Sequence, residues 1–217
     1  WLLQEAARYS CKTYTFGHDH RCDIQILESR AEDSGMQITL RVFSHTDTFY
    51  FPLPAVKLDT NLASAIGMAH LLGVETAQIK AGLSKYQASD NRLNIINLPA
   101  GGVVINDTYN ANPVSMQGAL EVLQELAKQR TSTAVLGDMF ELGAYEQEGH
   151  LQVGRKAAEL GINRLVAVGE RAAYIIQGAR ESGMPENSLI HFTKTDECVS
   201  WLKNHVDQRG VVLFKAS

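Results

Sequence analysis

The chain has 217 residues, 45% of them hydrophobic and 20% charged, which excludes a disordered or collagenous protein and leaves room for one large domain or two small ones. No apolar run approaches the ~20 residues needed to cross a bilayer, and Trp1-Leu2-Leu3 lacks the flanks of a signal peptide, so membrane insertion is not expected. Lys and Arg number 20 against 24 Asp and Glu, a net charge of −4; with no basic stripe, a nucleic-acid partner is disfavoured, while a small basic pocket for a nucleotide remains open.

The first part of the chain alternates apolar and polar residues at Thr13 to Phe16, Ile24 to Leu27, Ile38 to Phe43 and Thr48 to Phe51. Turn residues separate these stretches at Gly17 to His20, Asp33-Ser34-Gly35 and Ser44 to Asp47, which predicts antiparallel strands and hairpins. From Asp59 the period changes to that of a helix, with Leu62, Ala65, Ile66, Ala69 and Leu72 on one side and Gly73 closing it. Thr76 opens a second short helix ending near Leu83. After Pro99-Ala100-Gly101-Gly102, where a domain boundary is expected, strands and helices alternate. Strands are predicted at Val103 to Ile105, Ala134 to Leu136, Leu165 to Val168, Leu189 to Phe192 and Val211 to Phe214; helices at Pro113 to Lys128, Glu146 to Leu160, Ala172 to Glu181 and Asp196 to His205. Parallel strands need crossovers long enough to hold a helix, so this second part reads as an α/β domain with a Rossmann-like, mostly parallel sheet.

Two polar loops follow predicted strands, where open α/β sheets bind ligands. The first is Asn106-Asp107-Thr108-Tyr109-Asn110-Ala111-Asn112-Pro113. It reads equally as an N-cap with Pro at the first helical position and as a binding loop, because it holds more polar groups than a cap needs. The second is Gly137-Asp138-Met139-Phe140-Glu141-Leu142-Gly143, with His150 on the next helix. Its carboxylates could orient a ligand, or could be solvated charges at a helix start. Cys11, His18, His20 and Cys22 have the side chains of a zinc site, but their spacing fits no common finger. With Cys198 they make an odd set of three cysteines, which suits the reducing cytoplasm. No phosphate loop, nucleophile elbow or G-x-G-x-x-G pattern occurs in these residues.

The segment Asn106 to Pro113 with Ser115-Met116 and Ala119-Leu120, followed by Val135 to Gly143 and His150, resembles the signature of the Mur ligases. Tyr14 to Gly17 and the hairpins resemble the end of that family's central ATPase domain, Asn61 to Gly73 its N-x-x-A helix, and Ile79 to Arg92 its next helix and arginine. The resemblance therefore implies two parts: residues 1–98 as an α+β remnant of the central ATPase domain, and 99–217 as the Rossmann-like carboxyl-terminal domain. On that reading the chain, opening on Trp1 and stopping at Ser217 directly after an apolar strand, is expected to be a fragment, inactive alone, whose phosphate loop lies outside it.

The implied activity is ATP-dependent amide-bond formation in peptidoglycan precursor synthesis, with ATP phosphorylating a carboxylate and an amine attacking the acyl phosphate. Within the family the wording is nearest to the branch that joins D-alanyl-D-alanine to UDP-N-acetylmuramoyl-tripeptide; another Mur ligase, a folylpolyglutamate synthase-like ligase and a non-catalytic Rossmann-like binding module remain alternatives. Carried over by position, Asp107 resembles the ribose-binding aspartate, Arg92 the catalytic arginine that reaches the ATP phosphates, and Asn61 the asparagine at the adenine end. Tyr109, Asn110 and Asn112 match the family loop, and Lys215 and Ser217 part of a Lys-Gly-Ser segment near the dipeptide site. Mg2+ is implied with ATP, held mainly by parts of the central domain outside the chain. Four positions depart from the family: Lys57 and Leu58 replace a His-Asn pair, Asn91 replaces the glycine before the arginine, and Ala216 replaces the glycine of Lys-Gly-Ser. The missing histidine weakens the expected second magnesium contact.

Overall fold

The computed structural model describes residues 2–9, 11–32, 35–54 and 58–217; Trp1, the Asp33-Ser34 turn and Lys57 lie outside them. Two compact units emerge, Trp1–Tyr86 and Gln87–Ser217. Among the described residues, no helix is long and apolar enough to cross a membrane.

The first unit opens with a short helix α1 (Leu2–Ala6), followed by strands β1 (Phe16–Gly17), β2 (Ile24–Glu32), β3 (Gly35–Val42) and β4 (His45–Phe51), which form a sheet in chain order. β1 runs parallel to β2; β2, β3 and β4 are antiparallel. The period-two pattern of β3 places Met36, Ile38, Leu40 and Val42 in the core with Phe49 and Phe51 of β4. A bulge between Ile26 and Glu28 leaves Leu27 exposed. Phe43, expected to end a strand, has φ 53° and instead enters the turn to β4. Helix α2 (Asp59–Leu71) lies on β2, burying Leu62, Ala63 and Ile66, and Gly73 at φ 78° ends it as expected. Helix α3 (Thr76–Leu83) follows, closed at its start by a Glu75–Gln78 capping box.

The second unit holds β5 (Asn94–Asn97), β6 (Val103–Asn106), α4 (Pro113–Ala127), β7 (Ser132–Gly137), α5 (Glu146–Glu159), β8 (Arg164–Val168), α6 (Ala173–Glu181), β9 (Leu189–Phe192), α7 (Thr195–His205) and β10 (Val211–Lys215). The sheet order is β5-β6-β10-β7-β8-β9. Strands β6 to β10 are parallel, and β5 pairs antiparallel with β6, Ile95 opposite Ile105. That pairing moves the expected boundary near Pro99 back to Tyr86/Gln87. The two apolar residues Ile95-Ile96 between asparagines are too short a signal for a strand, and only pairing with β6 makes one.

Val135, Val166 and Val212 face Cys198, Trp201 and Leu202 of α7. The alternate residues Ala134, Leu136, Leu165, Ala167 and Leu213 are buried as well, so the central strands are covered on both faces, which is why they read as unbroken apolar runs.

Candidate functional site

The chain leaves β6, passes the place that β10 later fills, and enters the sheet again as β7. The carboxyl ends of β6, β10 and β7 therefore lie side by side at a topological switch point, the crevice where such sheets bind ligands. In the ladder Asn106 lies opposite Phe214, and Lys215 opposite Leu136. The next residues, Asp107 after β6, and Gly137 at the end of β7 with Asp138 after it, thus meet the segment from Lys215 to Ser217.

Asp107 is bound on both carboxylate oxygens. Its Oδ2 accepts from Lys215 Nζ at 2.6 Å and its Oδ1 from the Leu93 N–H at 3.0 Å. Lys215, 3% exposed, also donates to the Asn110 carbonyl at 2.8 Å. Ser217 Oγ lies 3.1 Å from the Ala111 N–H and 3.2 Å from Asn110 Oδ1. The structure thus brings Asp107, Asn110, Lys215 and Ser217 together, although Lys215 and Ser217 lie at the far end of the chain from the loop.

Arg92 and Tyr109 form a second, adjoining group. The guanidinium carbon lies 3.8 Å from the Tyr109 ring centroid, a cation–π stack that holds the cation over an exposed ring. The backbone beneath it is tied down: the Tyr109 N–H donates to the Asn91 carbonyl at 2.9 Å, and Asn106 Nδ2 to Asn91 Oδ1 at 2.8 Å. Asn91 has φ 64° and Leu93 φ 47°, so left-handed residues stand on both sides of Arg92. Asn91 therefore occupies the usual glycine position because asparagine tolerates this conformation best among residues with a side chain. The Asn106–Asn91 bridge was not anticipated, although Ser89-Asp90-Asn91 carries a turn signal that could have indicated it.

Ala216 is accommodated in a similar way. Its Cβ lies 2.7 Å from where a side chain on Gly137 would begin, so one methyl fits between β10 and β7 only while residue 137 stays glycine.

The remaining residues of the two loops serve the framework. Asn112 caps α4, accepting from the Ser115 N–H at 2.8 Å while Ser115 Oγ accepts from the Asn112 N–H, with Pro113 at the first position. Asp138 Oδ1 accepts the Ala172 N–H at 2.7 Å, bracing the start of α6. Its carboxylate also lies so close to Gly169, at φ 118°, that a side chain there would overlap it. His150 is fully buried, with Nε2 accepting from the Met139 N–H at 3.0 Å and Nδ1 donating to the Glu146 carbonyl at 2.7 Å. Both ring nitrogens are occupied in shaping the second loop. Arg171 binds Glu146 at 2.6 Å, a hydrogen bond that raises the guanidinium pKa.

In the first unit Asn61 is exposed in the opening turn of α2. Beside it lies a pairing that sequence reasoning missed: the buried Asp59 accepts from Ser29 Oγ at 3.1 Å and lies 3.1 Å from His18 Nε2. His18 is thus engaged by a carboxylate rather than by a zinc-type cluster, and among the described residues no group of three or more His, Cys, Asp and Glu is placed to hold a metal ion. Thr15 donates twice to Asp23, which holds that carboxyl below its usual range.

Known proteins resemble this chain in sequence and fold. The chain is 30% identical over 216 residues to the UDP-N-acetylmuramoyl-tripeptide–D-alanyl-D-alanine ligase of Bacillus subtilis, covering 100% of this chain and 46% of that protein. A crystal structure of MurF from Acinetobacter baumannii superposes with TM-score 0.81 at 30% identity, over 100% of this chain and 46% of that one. MurF from Thermotoga maritima, solved in complex with ADP, superposes with TM-score 0.77 at 24% identity, over 100% of this chain and 47% of that one, a likeness of fold. The chain thus spans about half the length of the relatives it matches. The profile described as "Mur ligase, glutamate ligase domain" matches residues 91–217, the segment that holds Arg92, Asp107 and Lys215, and on that match the chain belongs to the Mur ligase family.

Proposed function

We propose that this chain forms the nucleotide-reading and amine-side part of an ATP-dependent ligase that joins D-alanyl-D-alanine to UDP-N-acetylmuramoyl-tripeptide in peptidoglycan precursor synthesis. The γ-phosphoryl group of ATP passes to the tripeptide carboxylate; the dipeptide amine then attacks the acyl phosphate, forming the amide and releasing phosphate. The observation that carries the reading is the oriented Asp107 carboxylate beside the Arg92–Tyr109 stack, both at the carboxyl edge of the sheet. A carboxylate suits sugar hydroxyls, and a guanidinium on an exposed ring is a ready cation for phosphate. Asn61 is assigned to the adenine end, and Asn110 and Ser217 to the dipeptide side, with Asn112 holding their loop by capping. Mg2+ is assigned with ATP mainly to parts of the ligase outside this chain, and no step assigned to this chain passes through the metal.

Asp107→Asn in the full-length gene product tests the reading. The amide keeps an acceptor for Leu93 or Lys215 but leaves the buried Lys215 cation without its counter-charge, so the variant should fold with lowered stability. Loss of charge-assisted hydrogen bonds to the ribose should raise KM for ATP about tenfold or more. Unchanged ATP kinetics with lowered stability would instead make the loop a structural turn.

A further inference from the structure

The Lys215 ammonium is buried against the site but spends its hydrogen bonds inward, on Asp107 Oδ2 at 2.6 Å and the Asn110 carbonyl at 2.8 Å. With the Leu93 N–H on the other oxygen at 3.0 Å, the Asp107 carboxylate is fastened at both ends. A carboxylate has about four acceptor positions, so each oxygen keeps one for a ligand. Fastening the carboxylate fixes the directions of those positions, so that two adjacent hydroxyls of a ribose can be recognised together.

We infer that Lys215 is a positioning residue for nucleotide recognition, acting through Asp107 on the vicinal diol of the ribose rather than on the dipeptide. The inference rests on the Asp107 assignment above. It joins the nucleotide site to the end of β10: the strand inserted last between β6 and β7 orients the group at the end of β6.

The test compares ATP with 2′,3′-dideoxy-ATP in the full-length gene product, wild type against Lys215→Gln and Lys215→Arg, with thermal melting to verify folding. Wild type should favour ATP by about tenfold or more in KM, as charged hydrogen bonds to two hydroxyls require. K215Q should lose most of that preference: KM for ATP rises toward that of the dideoxy analogue, whose own KM stays put, and kcat changes less than about twofold. K215R, which keeps the charge, should recover part of the preference. A K215Q enzyme that still favours ATP as wild type does overturns the positioning role while leaving the ribose reading intact. A wild type indifferent to the two hydroxyls overturns both. Should K215Q not fold, K215R decides: its displaced cation should raise KM for ATP alone, and an equal rise for both nucleotides overturns the inference.

Discussion

Asn91 illustrates how a departure from a family pattern is absorbed by one residue. A left-handed backbone costs an ordinary L-residue about 1–2 kcal/mol, and at φ 64° asparagine reduces that cost while its side chain accepts from Asn106. Asn91→Gly should therefore stay within about 1 kcal/mol of wild type, losing one hydrogen bond and gaining backbone freedom. Asn91→Ala, with strain and no bond, should lose about 2 kcal/mol in urea unfolding; an alanine variant as stable as wild type would remove the argument. The Asp107–Lys215 pair has a different energetics. Breaking one partner of a buried pair typically costs about 3–5 kcal/mol because the other charge is left stranded, so conservative substitutions are the informative ones there.

At the scale of elements, the close contact of α5 and α6 depends on two glycines. A methyl on Gly154 would overlap the Ile175 carbonyl, and one on Gly178 the Leu151 carbonyl, so Gly178→Ala should lose about 1–3 kcal/mol by pushing the helices apart. Gly82, in the last turn of α3, meets nothing; Gly82→Ala should gain about 0.5 kcal/mol through helix propensity alone. Chemical denaturation of the two variants separates packing from propensity, and matching effects would contradict it. Most helices lay open in the sequence because an amphipathic period with caps is local information: α3, α4 and α7 begin within a residue of their expected starts. β5 was not legible, because a four-residue strand is defined by its partner.

Across the whole molecule, burial ranks the three free thiols. Cys11 is exposed, whereas Cys198 is enclosed by Val135, Val166 and Val212, and burial pushes its thiol pKa up. Thiolate is the reacting species, so iodoacetamide at pH 8 should label Cys11 rapidly and Cys198 only as the second unit unfolds, as read by mass spectrometry. Rapid native labelling of Cys198 would mean that the α7 face of the sheet opens. The polar loop 106–113 and the α/β class could be read directly from the sequence, since apolar runs, caps and turn residues express local propensity. Tertiary structure alone decided that β10 inserts between β6 and β7, and so that Lys215 and Ser217 reach a loop more than 100 residues earlier. Strand order is a choice among long-range pairings of similar local sequence, settled by burying both faces of the sheet at once.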